Sequence, residues 1–329
     1  MSETQWRRVS TRFPCPICGH TSYCGVNCSV ARCMRTESEK PSKGSDGSIG
    51  WIHPLTDELR AKAASLPAAT KPKPLTQDEM IDILKHDRTA INPTRLSNFS
   101  KSMGLSVLSL KNYGVGWNLF RKSWSFPMYD GTFKRGKPVV CGIHLREPSG
   151  AKRAIVGSRN GLFLPQDYDD APLPDGLCDG KEPLLLLTPE GVSDCCAAMD
   201  MGFRAVGRPS NSSGAPQLRE LLGRDGGSKQ DVVIVADRDA TKYRDDGEPF
   251  WPGIEGAIHV AHALIDVCHT LRFMLPPIEY KDLRAWLKES RRTEWLVEIS
   301  RAPIVNHVWI GSAKARLIER RKSERISRH

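Results

Sequence analysis

No stretch of this 329-residue chain approaches the ~18 consecutive apolar residues that a bilayer-crossing helix needs, so no membrane is expected among its partners. Met1 to Pro14 holds no apolar core segment and carries Arg7, Arg8 and Arg12, a composition that excludes an ordinary secretory signal and points to a reducing, cytoplasmic setting. One phosphate-loop candidate fails on inspection. Gly131-Thr132-Phe133-Lys134-Arg135-Gly136-Lys137 is followed by Pro138, which lacks the hydroxyl that would hold Mg²⁺, and then by an apolar run from Val139 that reads as a strand instead of the required helix. With no other candidate, no ATPase motor is expected. Cys195-Cys196 has no adjacent His, which leaves no case for a thiol nucleophile.

What is present is a pair of acidic clusters where short apolar runs break off. Leu184 to Leu187 leads into Thr188-Pro189-Glu190-Gly191, and Val232 to Ala236 leads into Asp237-Arg238-Asp239. Runs this short, bounded and rich in branched residues read as buried strands of a parallel sheet, where chemistry gathers beyond the carboxyl ends of the strands. The stretch 191–199 reads as a helix, 202–207 as a second strand, 218–222 and 255–267 as helices, and Leu271 to Leu275 as a further strand. That alternation implies βαβ crossovers and an α/β fold. Three carboxylates converging in one crevice repel one another unless a cation neutralises them, and oxygen-only ligands suit Mg²⁺ or Mn²⁺. Glu190, Asp237 and Asp239 are therefore expected to share a divalent metal. A helix cap or turn residue is the plainer reading of Asp194 and of Asp282.

Half of the ten cysteines lie near the start, at Cys15, Cys18, Cys24, Cys28 and Cys33. Cys15-Pro16-Ile17-Cys18 supplies two soft ligands from one tight turn, as tetrahedral Zn²⁺ requires. Five cysteines and His20 compete for four places. Cys141, Cys178, Cys195, Cys196 and Cys268 are scattered and read as ordinary thiols.

The net charge of +10 suits a polyanionic partner, and the tail from Lys314 to His329 concentrates Lys314, Arg316, Arg320, Arg321, Lys322, Arg325 and Arg328. Such a tail reads either as a solvated extension or as a helix lying along phosphates. Thr36 to Gly50 and Ala63 to Pro74 have linker composition. Thr76-Gln77-Asp78-Glu79 has capping-box form and starts a helix. Residues 92–120 suit a small helical core better than a DNA-reading helix-turn-helix. Val139 to Arg146 and Ala154 to Gly157 alternate like two antiparallel strands.

The ordered set Glu190-Gly191, Asp194, Gly207, Asp237-x-Asp239, Gly256-Ala257 and Lys281-Asp282 resembles the Toprim domain of DnaG-type and phage primases over roughly residues 180–290. The long segment Thr241 to Gly253 departs from that pattern. The resemblance implies a Toprim (Rossmann-like) parallel sheet at 179–290, preceded by a basic α+β primase subdomain at 75–178, a flexible linker at 37–74 and a zinc ribbon at 1–36. A helical basic tail would follow at 291–329. It implies Cys15, Cys18, Cys24 and Cys33 as the zinc ligands, with Cys28 or His20 still a competitor. It places Arg146, Lys152, Arg153 and Arg159 along a groove facing the metal crevice, with Asp282 an outer Mg²⁺ ligand and Lys281 a phosphate contact.

The function implied is RNA primer synthesis on a single-stranded DNA template from ribonucleoside triphosphates. The setting would be nucleoid-associated, with a replicative helicase acting in trans, for a phage or mobile-element replicon. Two alternatives are a Toprim nuclease and a non-catalytic DNA-binding replication protein. A topoisomerase would need a nucleophilic Tyr on a further domain, for which little chain remains.

Overall fold

A computed structural model describes residues 6–21, 23–43, 49–65, 73–166, 168, 185–211, 213–224, 230–243 and 247–326. The chain divides into two compact units, one of Met1–Pro72 with Tyr243–Glu248, the other of Lys73–Lys242 with Pro249–His329.

The first unit is a small antiparallel sheet. Arg7–Arg8 (β1) pairs with Gly25–Val26 (β2), which pairs with Val30–Cys33 (β3). Asn27 closes the turn between β2 and β3 by accepting from the backbone N–H groups of Ser29 and Val30 at 2.8 and 2.7 Å. Pro41–Lys43 (β4) and Ile49–Pro54 (β5) complete the sheet, with β5 between β3 and β4, and Asp57–Ser65 (α1) follows. Over residues 41–43 and 49–65 this corrects the linker expected at 37–74. Cys33 pairs with Trp51 across the β3–β5 ladder, and Leu55 and Ala63 are buried with Cys15, Cys24 and Cys33, so the small core needs those residues to close. Composition alone did not reveal this, because the strands are held by long-range pairing. Residues 44–48 and 66–72 of that expected linker lie outside the described residues.

The second unit opens with Gln77–Thr89 (α2), started by the capping box: Thr76 Oγ1 accepts from the Glu79 N–H at 3.2 Å and Glu79 Oε2 from the Thr76 N–H at 2.7 Å. Pro93–Met103 (α3) and Val107–Asn112 (α4) bury Leu96, Met103 and Leu110 in a helical core. Gly116–Asn118 (β6), Ser123–Lys134 (β7), Lys137–Arg146 (β8) and Lys152–Ala154 (β9) form an antiparallel sheet in that order. The failed phosphate loop is the β7–β8 hairpin, where Arg135 and Gly136 take φ of 54° and 72° in a two-residue turn.

The parallel sheet is built from Leu185–Thr188 (β10), Gly191–Asp200 (α5), Arg204–Ala205 (β11), Ala215–Gly223 (α6) and Asp231–Val235 (β12). Two short strands, Lys242–Tyr243 (β13) and Pro249–Phe250 (β14), precede Pro252–Leu264 (α7) and Thr270–Met274 (β15). Its order is β11-β10-β12-β15, every pair parallel. Leu187, Val233 and Val235 face one core with Val192, Cys195 and Ala198 of α5. Leu186, Val232 and Ile234 face another with Leu218 of α6 and Val260 and Ala261 of α7. The strands are apolar on both sides because helices cover both sides. Leu184 and Cys178, and the expected boundary at 178–179, lie outside the described residues.

Leu283–Leu287 (α8), Arg292–Arg301 (α9) and His307–Ile326 (α10) end the unit. Trp286 and Trp295 stack at 4.8 Å between ring centres. The basic tail is the helix α10 as far as Ile326, and part of its charge is spent within the unit: Arg320 lies 4.0 Å over the Trp251 ring, and Arg321 pairs with Glu255 at 2.7 Å. Among the described residues, no helix is long and apolar enough to cross a membrane.

Candidate active site and thiol cluster

The central strands β10 and β12 are neighbours, and each is followed at its carboxyl end by acidic residues. Glu190 sits at the N-cap position of α5 but makes no side-chain cap bond; its Oε2 is buried without a partner. Gly191, the next residue, has φ 77° with open space around it, so the backbone angle and not crowding calls for glycine there. Burial pushes the Glu190 carboxyl up, Arg208 opposes this, Asp239 adds to it, and Lys152 opposes it again. Asp237 is pushed up to about 7 by burial first, then by Glu190, Asp282 and Asp239. These mutual effects put Glu190, Asp237 and Asp239 in one electrostatic cluster.

Lys281 supplies a cation at the cluster, with Nζ 3.5 Å from Asp239 Oδ1. Desolvation depresses its ammonium, but Asp239 and Asp237 outweigh that and raise it above the usual lysine value. Arg238, between the two acids, turns away: its backbone N–H donates to the Lys281 carbonyl at 2.8 Å and its Nε to the Pro276 carbonyl. Alternation along the chain thus sends both Asp side chains one way and uses the Arg between them to anchor the loop that carries Lys281.

Asp282 is a helix cap, accepting from the Ala285 N–H at 2.8 Å at the start of α8. Asp194 lies wholly buried in the first turn of α5 and accepts from the Arg284 N–H at 2.8 Å. Its carboxyl is held well above the usual range by burial, then by Asp282 and Asp237. Both acids therefore border the cluster while one oxygen of each is engaged by backbone.

The four expected cations separate. Arg146 pairs with Lys152 across β8 and β9, which puts their side chains on one face, shared with His144. Burial, then Lys152 and Arg146, press His144 down to about 4. Lys152 acts on Glu190, and Arg146 feels Asp194 and Asp282, so this face looks onto the carboxylates. Arg153 is opposite Leu145 on the other face and pairs with Glu147 at 2.9 Å, while Arg159 pairs with Asp130 at 3.8 Å. Of the four cations expected along one groove, Arg146 and Lys152 share the face toward the carboxylates, Arg153 turns to the opposite face because adjacent strand residues alternate, and Arg159, beyond β9, pairs with Asp130.

Arg208 escaped the sequence reading. It is fully buried, and its guanidinium donates to the carbonyls of Thr188 at 3.4 Å, Val235 at 3.0 Å and Asn211 at 2.8 Å. The available signal was an arginine set directly after the apolar stretch Ala205-Val206-Gly207, where a charge has to be buried at a strand end. Two helix glycines complete the crowding: a Cβ on Gly253 would meet the Asp237 carbonyl at 2.3 Å, and one on Gly256 the Asn211 carbonyl at 2.2 Å.

In the first unit, Cys15, Cys18, Cys24 and Cys33 bring one sulfur each within 4.8 Å of one another. Cys18 Sγ and Cys24 Sγ are 3.7 Å apart, against about 3.8 Å between sulfurs for tetrahedral Zn–S bonds of ~2.3 Å. Backbone N–H groups of Arg35 and Thr36 donate to Cys33 Sγ, and that of Met34 to Cys24 Sγ, as thiolate ligands require. The donor set fits zinc. Cys28 lies outside the cluster, and His20 Nδ1 contacts the Cys18 carbonyl at 3.0 Å. No disulfide joins the described cysteines. The carboxylates are more loosely spread: among the described residues they form no comparable group within 4.8 Å. Their donor set is oxygen-only, with one buried orphan oxygen at Glu190, and it fits a hard divalent cation.

No protein-family model matches the chain. It is similar to a solved DnaG catalytic core, with a TM-score of 0.51 and 17% identity over 72% of this chain and 87% of that one. It is also similar to the Aquifex aeolicus primase zinc-binding and RNA polymerase domains, with a TM-score of 0.50 and 14% identity over 97% of this chain and 84% of that one. A curated relative, the uncharacterized Homo sapiens protein C1orf94, is 29% identical over 149 residues, 44% of this chain; the chain spans about a quarter (25%) of that relative's length. At these identities the likeness shows the fold alone: a parallel-sheet core like the DnaG catalytic core, preceded in sequence by a small sheet unit whose four clustered thiols fit a zinc ribbon.

Proposed function

We propose that this chain is a DNA primase, joining ribonucleotides into a short RNA primer on single-stranded DNA. What supports the reading is that Glu190, Asp237 and Asp239 stand just past the carboxyl ends of two adjacent parallel strands and act on one another electrostatically, within a fold like that of the DnaG core. Asp237, Asp239 and Glu190 would hold Mg²⁺ or Mn²⁺, with Asp282 in an outer role. When bound, such cations activate a 3′ hydroxyl and neutralise phosphate charge.

The chain's own groups account for the rest. A nucleotide 3′ oxygen forms a bond to the α-phosphorus of the incoming triphosphate, the bond to the bridging oxygen breaks, and pyrophosphate leaves. The hydroxyl proton passes to a carboxylate, for which Glu190, with an unpartnered Oε2, is suited. Lys281 and the Arg146–Lys152 face supply cations for the triphosphate or the template phosphates. The thiol cluster would hold Zn²⁺ and steady a unit that helps select the template start. A helicase acting in trans and a phage or mobile-element replicon belong to the same reading.

The test is an assay with single-stranded DNA, labelled ribonucleotides and Mg²⁺. Primers are expected. Cleavage of the DNA would favour a Toprim nuclease, and binding without turnover a non-catalytic replication protein. Asp237→Ala should abolish synthesis with folding intact, and undiminished synthesis would remove these residues from the mechanism.

A further inference from the structure

Among the described residues, Arg208 is the one fully buried cation of the carboxylate cluster, and its guanidinium donates to three carbonyls. Its acceptors are the carbonyl of Thr188, which ends β10 two residues before Glu190; that of Val235, which ends β12 two residues before Asp237; and that of Asn211 in the loop ahead of α6. Its own backbone continues the sheet beside Glu190: the Arg208 N–H donates to the Pro189 carbonyl at 3.0 Å, and the Gly191 N–H to the Arg208 carbonyl at 2.8 Å. A planar fork with five donors is suited to spanning several carbonyls at once, and an ammonium is not.

We infer that Arg208 is a positioning residue: its buried guanidinium ties together the ends of the two strands that carry Glu190 and Asp237, and so sets the spacing at which those carboxylates grip a divalent cation. This rests on the metal-site reading above. Without the guanidinium, three carbonyls at the strand ends lose their donor inside a core closed to solvent, and both strand ends are free to splay. The carboxylates keep their chemical identity and lose their geometry. A guanidinium that bonds carbonyls also leaves the carboxylate lone pairs available, which a direct ion pair would consume.

The test is Mn²⁺ binding followed by electron paramagnetic resonance on the full chain, with neither template nor nucleotide present. Arg208→Met, of similar length without donors, and Arg208→Lys, with the charge but without the fork, are compared with the parent well below their melting temperatures. Both are expected to bind Mn²⁺ at the carboxylate site about tenfold or more weakly, with Lys failing to restore the parent affinity. Parent-like affinity in either variant, accompanied only by a lower melting temperature, would make Arg208 a plain structural strut and overturn the inference.

Should Arg208→Met not fold, the Lys variant still decides. Mn²⁺-induced broadening of the Arg208 Nε–H resonance in the parent checks the premise that the cation sits beside Arg208: an unaffected signal would place the cation elsewhere and overturn the inference. A parent that binds no Mn²⁺ would remove the metal-site reading and this one with it. A parent that binds, with variants that match it, removes only this one.

Discussion

The backbone N–H of Arg284 donates to the Asp194 carboxylate at 2.8 Å, fastening the start of α8 to the first turn of α5 across 90 positions of sequence. Asp282 caps the same helix two residues earlier, so two acids at the edge of the cluster are held by backbone. Asp237 stands beside them, and burial together with Glu190, Asp282 and Asp239 opposes its ionisation as well.

A pH dependence follows. The folded Asp237 carboxyl lies near 7, raised from about 3.8, so the folded state retains a proton that the unfolded chain releases. Its contribution to stability is whole below about 3.8 and is lost as pH rises through about 7, on the order of 4 kcal/mol. In chelator, the melting temperature should fall over that range, and Asp237→Asn should flatten the fall. On the proposed metal-site reading Mg²⁺ would bind the ionised form, so its stabilising effect should grow with pH over the same window. Scanning fluorimetry across pH, with and without Mg²⁺, reads both. Parallel curves for parent and Asn variant would show that Asp237 titrates normally.

Gly253 packs α7 against the backbone of Asp237. Gly253→Ala would place a Cβ 2.3 Å from the Asp237 carbonyl, which must move. A loss of about 1–3 kcal/mol is expected from overpacking, with activity down by about 10²-fold, since small displacements at a reacting centre are costly. Gly223→Ala is the control: a Cβ added there would meet nothing within 4 Å, and stability should stay within about 0.5 kcal/mol of the parent. Equal melting temperatures and rates for both variants would show that α7 yields easily.

Zinc content separates the competing cysteines. Cys24→Ser should lose zinc and unfold the first unit, whereas Cys28→Ser should keep a stoichiometric ion, because Cys28 stands outside the four-sulfur cluster. Elemental analysis with circular dichroism decides it. Retained zinc in the Cys24 variant would transfer the ligand role elsewhere.

The Arg146–Lys152 face and Arg153 should behave differently. Arg146→Ala and Lys152→Ala are expected to weaken nucleoside triphosphate or template binding by about 1–2 kcal/mol, roughly tenfold. Arg153→Ala removes an exposed pair with Glu147 and should change binding by less than about twofold. Fluorescence anisotropy at fixed ionic strength measures each, and equal losses in all three would restore the single groove read from sequence.

Much of the parallel sheet was legible because its strands are short apolar runs ended by acids, and its helices have apolar periodicity on that scale. The cysteine spacing made the thiol cluster legible in the same local way. Strands β4 and β5 were not, since Pro41–Lys43 and Ile49–Pro54 acquire their structure from pairing with each other and, through β5, with β3. Arg208 was hidden because no local pattern says that an arginine will turn inward to three carbonyls. The division between Lys152 and Arg153 was available in principle: neighbours on a strand cannot share a face.

The sorting of donor atoms has a practical outcome. The four clustered thiols sit in one unit and the carboxylates in the other, so, if both bind as proposed, cadmium and manganese should each enter a different place without exchange between them. A crystal carrying both would mark the two centres by their separate X-ray absorption edges, and either could be emptied while its neighbour stays loaded.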